Sequence, residues 1–282
     1  MKKLQGVVSD LDHTLLRSDQ SVSPEDLAAI AALRAKNIPV VLATGRHHIM
    51  CEPVVDQVGR QVPIITNNGA TVFNPAAGEV LHAITMPEEI VENIWRACLA
   101  QNRMCHVFTP HRVLVSGDFR APDFPDRVIG DIALKVPSIP FERQGEGFSP
   151  VGLEVVKLGI PNLPAFGLDG FLRLVPGAER LSATYSGKDF IDITMREATK
   201  GTAVAWLAPR LGFKPENALI IGDNGNDVSM LKLAGWPVAP QNAMPETKAA
   251  ASFITSGNEH SPLATALAAL FPEIFPKNRQ IF

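Results

Sequence analysis

Several short runs along the chain are apolar at nearly every position and then stop abruptly at polar residues. Residues 4–9, centred on Gly6-Val7-Val8, run into Asp10. Val40-Val41-Leu42-Ala43 ends at Thr44-Gly45-Arg46, and residues 62–65 end at Thr66-Asn67-Asn68-Gly69. Far downstream, Ala218–Ile221 ends at Gly222-Asp223, and Ser252-Phe253-Ile254 is a weaker run of the same kind. A strand with one face in water alternates apolar and polar residues, whereas a strand covered on both faces does not. These runs therefore predict a parallel sheet with helices on both sides. Helical patterns do separate them. Ser23 caps a helix that begins Pro24-Glu25-Asp26, buries Leu27, Ile30, Ala31 and Leu33, and stops at Asn37. Another opens at Lys200-Gly201, carries Val204, Leu207, Ala208 and Leu211, and stops at Gly212; Pro209 should kink or shorten it. Such alternation is the signature of an α/β fold. In open parallel sheets ligands bind beyond the carboxyl ends of the strands. Asp10, Thr44, Asn67 and Asp223 all fall on that edge.

The middle of the chain differs. Between residues 86 and 188 proline and glycine recur (Pro110, Gly117, Pro140, Gly145, Gly147, Pro150). Strand-like pieces at 112–116, 152–158 and 189–193 mix with helix-like pieces at 88–101 and 163–175. This texture predicts an inserted α/β domain, 86–188, within a core formed by 1–85 and 189–282. No internal repeat is present.

Composition narrows the function classes. The 282 residues are 46% hydrophobic and 20% charged, as in an ordinary soluble protein. The formal net charge is −3, with no dense Lys/Arg block, which argues against a nucleic-acid partner. Cys51, Cys98 and Cys105 are odd in number and lack CxxC spacing, so neither a disulfide framework nor a zinc site is expected, but reduced, partly buried thiols. The apolar run before Asp10 is too short for a signal peptide, and no stretch approaches the roughly 20 apolar residues of a membrane span. The expectation is a cytoplasmic protein with no membrane partner.

Candidate chemistry lies on the ligand edge. In Asp10-Leu11-Asp12-His13-Thr14 two carboxylates stand two residues apart just past a strand. One can attack phosphorus, and the other can protonate a leaving oxygen and later deprotonate water. Charges that close call for a bound cation. Asx-rich turns also use such residues with no chemistry at all. Thr44-Gly45-Arg46 offers a hydroxyl and backbone N–H groups to a phosphate oxygen, while Arg46 equally suits an ordinary ion pair. Adjacent His47 and His48 do not share a helix face and receive no metal role. Lys200 beside a phosphoryl site would offset transition-state charge; alone it reads as a solvated helix start. Gly222-Asp223-Asn224-Gly225-Asn226-Asp227 supplies hard oxygen ligands. It is not an EF-hand, because position 12 of such a loop would be Ala234, and its glycines do not form GxGxxG.

In combination these pieces resemble the haloacid dehalogenase superfamily, and within it the Cof-type phosphatases, whose cap domain is inserted between the second and third motifs. The matching segments are VVSDLDHTLL (7–16), VLATGRH (41–47), TNNGA (66–70), TKG (199–201) and IGDNGNDVSML (221–231), with weaker matches at VAPQNA (238–243) and TSGNEHSPLATAL (255–267). The resemblance implies a Rossmann-like core with a parallel sheet, plus an inserted α/β cap that governs substrate specificity. It implies Asp10 as nucleophile and Mg²⁺ ligand, and Asp12 as general acid/base that binds Mg²⁺ through its carbonyl. Asp223 would be the third protein ligand. Thr44, Gly45, Lys200, Asn226 and the backbone of Leu11 would hold phosphate, with Asp227 and Arg46 supporting. Two departures stand out. His13 replaces the usual glycine of DxDGT, and 195–199 lacks the glycine often found before the lysine, which leaves Lys188 as an alternative to Lys200.

The implied activity is Mg²⁺-dependent hydrolysis of small phosphomonoesters such as sugar phosphates, pyridoxal phosphate or FMN through an aspartyl-phosphate. A phosphomutase of the same superfamily and a non-catalytic phosphate-binding regulator are the alternatives. The intact Asp10/Asp12 pair disfavours the regulator. In the insert, Tyr185, Arg112 and His111 are candidates to face a substrate.

Overall fold

The computed structural model describes residues 3–121, 124, 127–136, 138–163, 165–185 and 190–275. Lys188 and Asp189 lie outside the described residues. The chain divides into two units, Met1–Leu81 with Thr199–Phe282, and His82–Ala198. In chain order the strands are β1 (Gly6–Asp10), β2 (Val40–Ala43), β3 (Ile64–Thr66), β4 (Thr71–Asn74), β5 (Glu79–Ala83), β6 (His106–Phe108), β7 (Val113–Val115), β8 (Phe141–Arg143), β9 (Lys157–Ile160), β10 (Leu181–Tyr185), β11 (Ile191–Met195), β12 (Ala218–Ile221), β13 (Trp236–Pro240) and β14 (Phe253–Thr255).

The first unit holds an eight-stranded sheet in the order β14-β13-β12-β1-β2-β3-β4-β5. From β14 to β3 every pairing is parallel, and β4 turns back antiparallel on β3. Successive side chains point to opposite faces, which accounts for the uninterrupted apolar runs. Val7, Val40, Leu42, Ile64, Leu219 and Ile221 pack on one side with Ile30, Leu33, Val54 and Leu263. Val8, Val41, Ala43, Ile65 and Ile220 pack on the other with Val204, Leu207 and Met230. The helix Pro24–Ala35 forms as its sequence requires: the Ser23 hydroxyl accepts the Asp26 N–H at 3.0 Å, and Asn37 leaves it at φ 55°. Pro209 shortens the later helix to Lys200–Leu207, followed by a 3₁₀ turn and by Gly212 at φ 79°.

The second unit is built on a six-stranded sheet, β10-β11-β9-β6-β7-β8, antiparallel except between β7 and β8. Helices Glu88–Ala100, Arg127–Lys135 and Ala165–Leu172 accompany it. Here the buried Lys157 and Asp192 form an ion pair at 2.9 Å, and Lys157 Nζ lies 4.1 Å from the Phe108 ring centre. The sequence texture places the return of the chain to the core at 188/189. In the structure it returns at Ala198/Thr199, because β11 hydrogen-bonds to β10 and β9 and so stays with the inserted sheet. The strand expected at 152–158 is displaced to β9, since Gly152 sits in a turn at φ 84°. No helix among the described residues is long and apolar enough to cross a membrane.

Candidate active site

Strand register brings the polar residues together. Asp10 is level with Ala43 and Ser9 with Ile221, so Thr44 and Gly222-Asp223 leave the sheet at the same edge as Asp10. Beyond Asp10 the chain makes one tight turn, Leu11–Leu15, anchored by the fully buried Leu11 and closed by Leu16 N–H donating to the Leu11 carbonyl at 2.8 Å. The turn needs His13 in the left-handed region, φ 59°, ψ 9°. That explains why glycine is the easier residue there; a histidine costs about 1 kcal/mol. The Asn242 side chain donates to the His13 carbonyl at 2.7 Å and holds the turn, while the His13 side chain is exposed.

Asp10, Asp223, Asp227 and Lys200 are all buried. The Lys200 ammonium donates to Asp10 Oδ1 and to Asp227 Oδ1, each at 2.6 Å. The other Asp227 oxygen accepts the N–H groups of Asp223 (2.9 Å) and Asn224 (3.0 Å). Thr14 donates its hydroxyl to Asp223 Oδ1 at 3.1 Å. One carboxylate oxygen from each of Asp10, Asp223 and Asp227 lies within 4.8 Å of the others. Burial, then the charge of Asp227, pushes the Asp10 carboxyl well above the usual range, with Lys200 opposing. Burial and Asp227 likewise raise Asp223. Burial disfavours the Lys200 ammonium, but Asp10 and Asp227 outweigh it and push its pKa up. One ammonium facing three carboxylates leaves an excess of buried negative charge. A convergent set of hard, anionic oxygens fits a divalent cation.

Not every candidate joins this cluster. The Asp12 carboxylate turns to Arg46, whose Nε donates to Asp12 Oδ2 at 2.9 Å and whose Nη2 reaches Asp12 Oδ1 and Gln20 Oε1. Asp227, expected only to support, is the third carboxylate of the cluster. Thr44 is buried, and its hydroxyl accepts the Arg46 N–H at 3.1 Å. Asn226 donates to Asn68 Oδ1 at 2.9 Å. His47 and His48 are buried, the latter stacked on Phe73 at 4.1 Å between ring centres. Tyr185, His111 and Arg112 belong to the other unit, where Arg112 makes a bidentate pair with Glu142 (2.8 and 2.6 Å). Sequence reasoning gave no role to Asn68, Thr14 or Asn242. Asn68 had a signal: an Asn-Asn-Gly run after a strand, on the ligand edge, is prone to left-handed backbone.

The sequence profile of the haloacid dehalogenase-like hydrolases matches residues 7–135 and 171–267. An HMP-PP phosphatase of Serratia proteamaculans is 27% identical over 253 residues, covering 85% of this chain and 84% of its own. The pyridoxal phosphate phosphatase YbhA of Escherichia coli K12 is 25% identical over 276 residues, covering 92% and 95%. Among solved structures, a haloacid dehalogenase-like hydrolase from Bacteroides thetaiotaomicron superposes with a TM-score of 0.81 at 22% identity, covering 95% of this chain and all of its own.

Proposed function

The chain belongs to the haloacid dehalogenase-like hydrolases, and on that premise we propose that it hydrolyses small phosphomonoesters through a phosphorylated Asp10, with Mg²⁺ as its cation. The observation that carries this reading is the Lys200 ammonium set 2.6 Å from both Asp10 and Asp227, with Asp223 completing the carboxylate cluster. Relatives named as phosphatases of HMP-PP and pyridoxal phosphate support the substrate class, small phosphorylated metabolites.

Asp10 stands at the end of β1 with one oxygen held by Lys200, which fixes the carboxylate for attack. Its other oxygen forms the bond to phosphorus as the ester oxygen leaves. Asp12 gives its proton to that leaving oxygen, then takes one from the water that cleaves the aspartyl-phosphate. Phosphate departs and the Asp10 carboxylate is restored. In the resting arrangement Arg46 holds the Asp12 carboxylate, so acid/base work exchanges Arg46 for the leaving group. Thr44, Gly45, Asn226, Lys200 and the Leu11 backbone surround the phosphoryl oxygens. The cation would sit on the carboxylates of Asp10 and Asp223 and the main-chain carbonyl of Asp12, offsetting the buried charge and polarising the phosphoryl group.

Phosphate release from an aryl phosphate should require Mg²⁺ and cease on chelation. Rapid quenching during turnover should leave a phosphoryl group on Asp10, detectable by peptide mass spectrometry. Steady turnover with a phosphoryl group on another residue, or on none, would overturn the reading.

A further inference from the structure

The loop Asn67-Asn68-Gly69 has no part in the chemistry above, yet it touches three of the segments that do. All three residues are left-handed, with φ of 51°, 58° and 101°. Backbone held in that region at consecutive positions, two of them not glycine, persists only where the surroundings enforce it. The enforcing contacts are specific. Asn67 N–H donates to the Arg46 carbonyl at 2.9 Å, and Asn68 N–H donates to the Thr44 carbonyl at 3.1 Å, so the loop clasps the Thr44-Gly45-Arg46 turn from both ends. The Asn68 carboxamide lies against Gly45, where a Cβ would stand 2.9 Å from Asn68 Oδ1. The same oxygen accepts the Asn226 amide at 2.9 Å, across 158 residues of sequence. Asn226 Oδ1 is buried and has no hydrogen-bond partner among the described residues, so the bond to Asn68 anchors this carboxamide. Gly69 completes the device: a Cβ there would fall 2.1 Å from the Thr199 carbonyl oxygen and 2.7 Å from Lys200 N. The loop thus abuts the start of the helix that delivers Lys200.

We propose that Asn68 is a positioning residue for phosphate: its carboxamide, wedged between Gly45 and Asn226, sets the distance between the two sides of the phosphate cradle. This rests on the assignment of Thr44, Gly45 and Asn226 to phosphate made above. Asn68 acts through Asn226 and the Gly45 turn.

The left-handed backbone makes Asn68→Gly a clean test, since glycine adopts φ 58° without strain and removes only the carboxamide. Binding of inorganic phosphate in the presence of Mg²⁺ is measured by calorimetry for the wild type, Asn68→Gly, Asn226→Ala and the double variant, with melting temperatures and kcat/KM recorded alongside. The expected result is a melting temperature close to wild type and phosphate binding weakened about tenfold in Asn68→Gly. The effect should largely vanish in the Asn226→Ala background, because the two residues act as one unit. Asn68→Gly binding phosphate as the wild type does, while Asn226→Ala is impaired, overturns the role of Asn68 and leaves the phosphatase reading standing. So does an Asn68→Gly loss that persists undiminished without Asn226. A wild type that neither binds phosphate nor hydrolyses phosphomonoesters overturns both.

Discussion

The two units each bury a lysine beside carboxylates, and they do so differently. In the inserted unit Lys157 pairs with Asp192 at 2.9 Å beneath the Phe108 ring, so the described charges are matched. In the core Lys200 sits among Asp10, Asp223 and Asp227, and the charges are not matched. A balanced buried pair satisfies itself; its members gain little from any ligand and lose heavily when separated. In the unbalanced cluster, burial and neighbouring negative charge push the Asp10 and Asp223 carboxyls up, and a cation would offset that excess. Both motifs are a lysine and aspartates in the interior. Only the imbalance sets apart the cluster to which we assign the chemistry.

This contrast can be broken experimentally. The largest effect is expected from Asp10→Asn, which should lower phosphate release at least about a thousandfold while leaving the melting temperature in metal-free buffer unchanged or raised, because one of the crowded charges is gone. Lys157→Met should do the opposite. It leaves Asp192 buried without its ammonium, and urea unfolding should register a loss of about 3–5 kcal/mol, most of it recovered in the double variant Lys157→Met/Asp192→Leu. If Lys157→Met were harmless and Asp10→Asn severely destabilising, the distinction between matched and unmatched charge would fail.

A third buried acid sharpens the comparison. Asp26 Oδ1 accepts the Ala264 N–H at 2.8 Å, while its Oδ2 has no hydrogen-bond partner among the described residues. Burial raises its pKa to about 6 from 3.8, so below that pH a proton does for Asp26 what Lys157 does for Asp192. A carboxyl whose folded pKa is raised stabilises the protein fully below its unfolded pKa, and that contribution is lost as pH rises through the folded value. The loss amounts to about 3 kcal/mol at most between pH 4 and 7. The stability of Asp26→Asn relative to the wild type should therefore rise over that window by a similar amount, measured by urea unfolding at each pH. A difference that is flat with pH would remove Asp26 from the comparison. The smallest effect belongs to His13→Gly. Relief of the left-handed strain at φ 59° is partly offset by the greater freedom of glycine in the unfolded chain, so a gain of up to about 1 kcal/mol is expected by thermal melting.

Much of the core was legible before the structure because its runs are apolar throughout, and their polar ends mark one edge. Val40–Ala43 and Ala218–Ile221 carry β2 and β12 without adjustment. What was not legible has physical reasons. β13 contains Pro237 and Pro240, residues that read against a central strand, yet Pro237 still accepts the Ser252 N–H through its carbonyl at 2.9 Å. The strands of the inserted unit are no shorter than those of the core, but several mix polar and apolar residues, as in Phe141–Arg143 and Leu181–Tyr185, so no uninterrupted apolar run marks them. In the site, residue types at fixed spacing singled out Asp10, Asp223 and Lys200 as candidates, and the structure brings them together, but spacing says nothing of side-chain direction. Hence the turning of Asp12 toward Arg46, the entry of Asp227 into the carboxylate cluster and the bridge from Asn68 to Asn226 emerged only with three-dimensional contacts.

The most direct test of the unbalanced cluster is a crystal grown with Mn²⁺ in place of Mg²⁺ and measured at the manganese absorption edge. A single strong anomalous peak should lie within bonding distance of the carboxylates of Asp10 and Asp223, and should disappear in Asp223→Ala. No peak between those carboxylates at saturating Mn²⁺, or one that survives the loss of Asp223, would contradict the account.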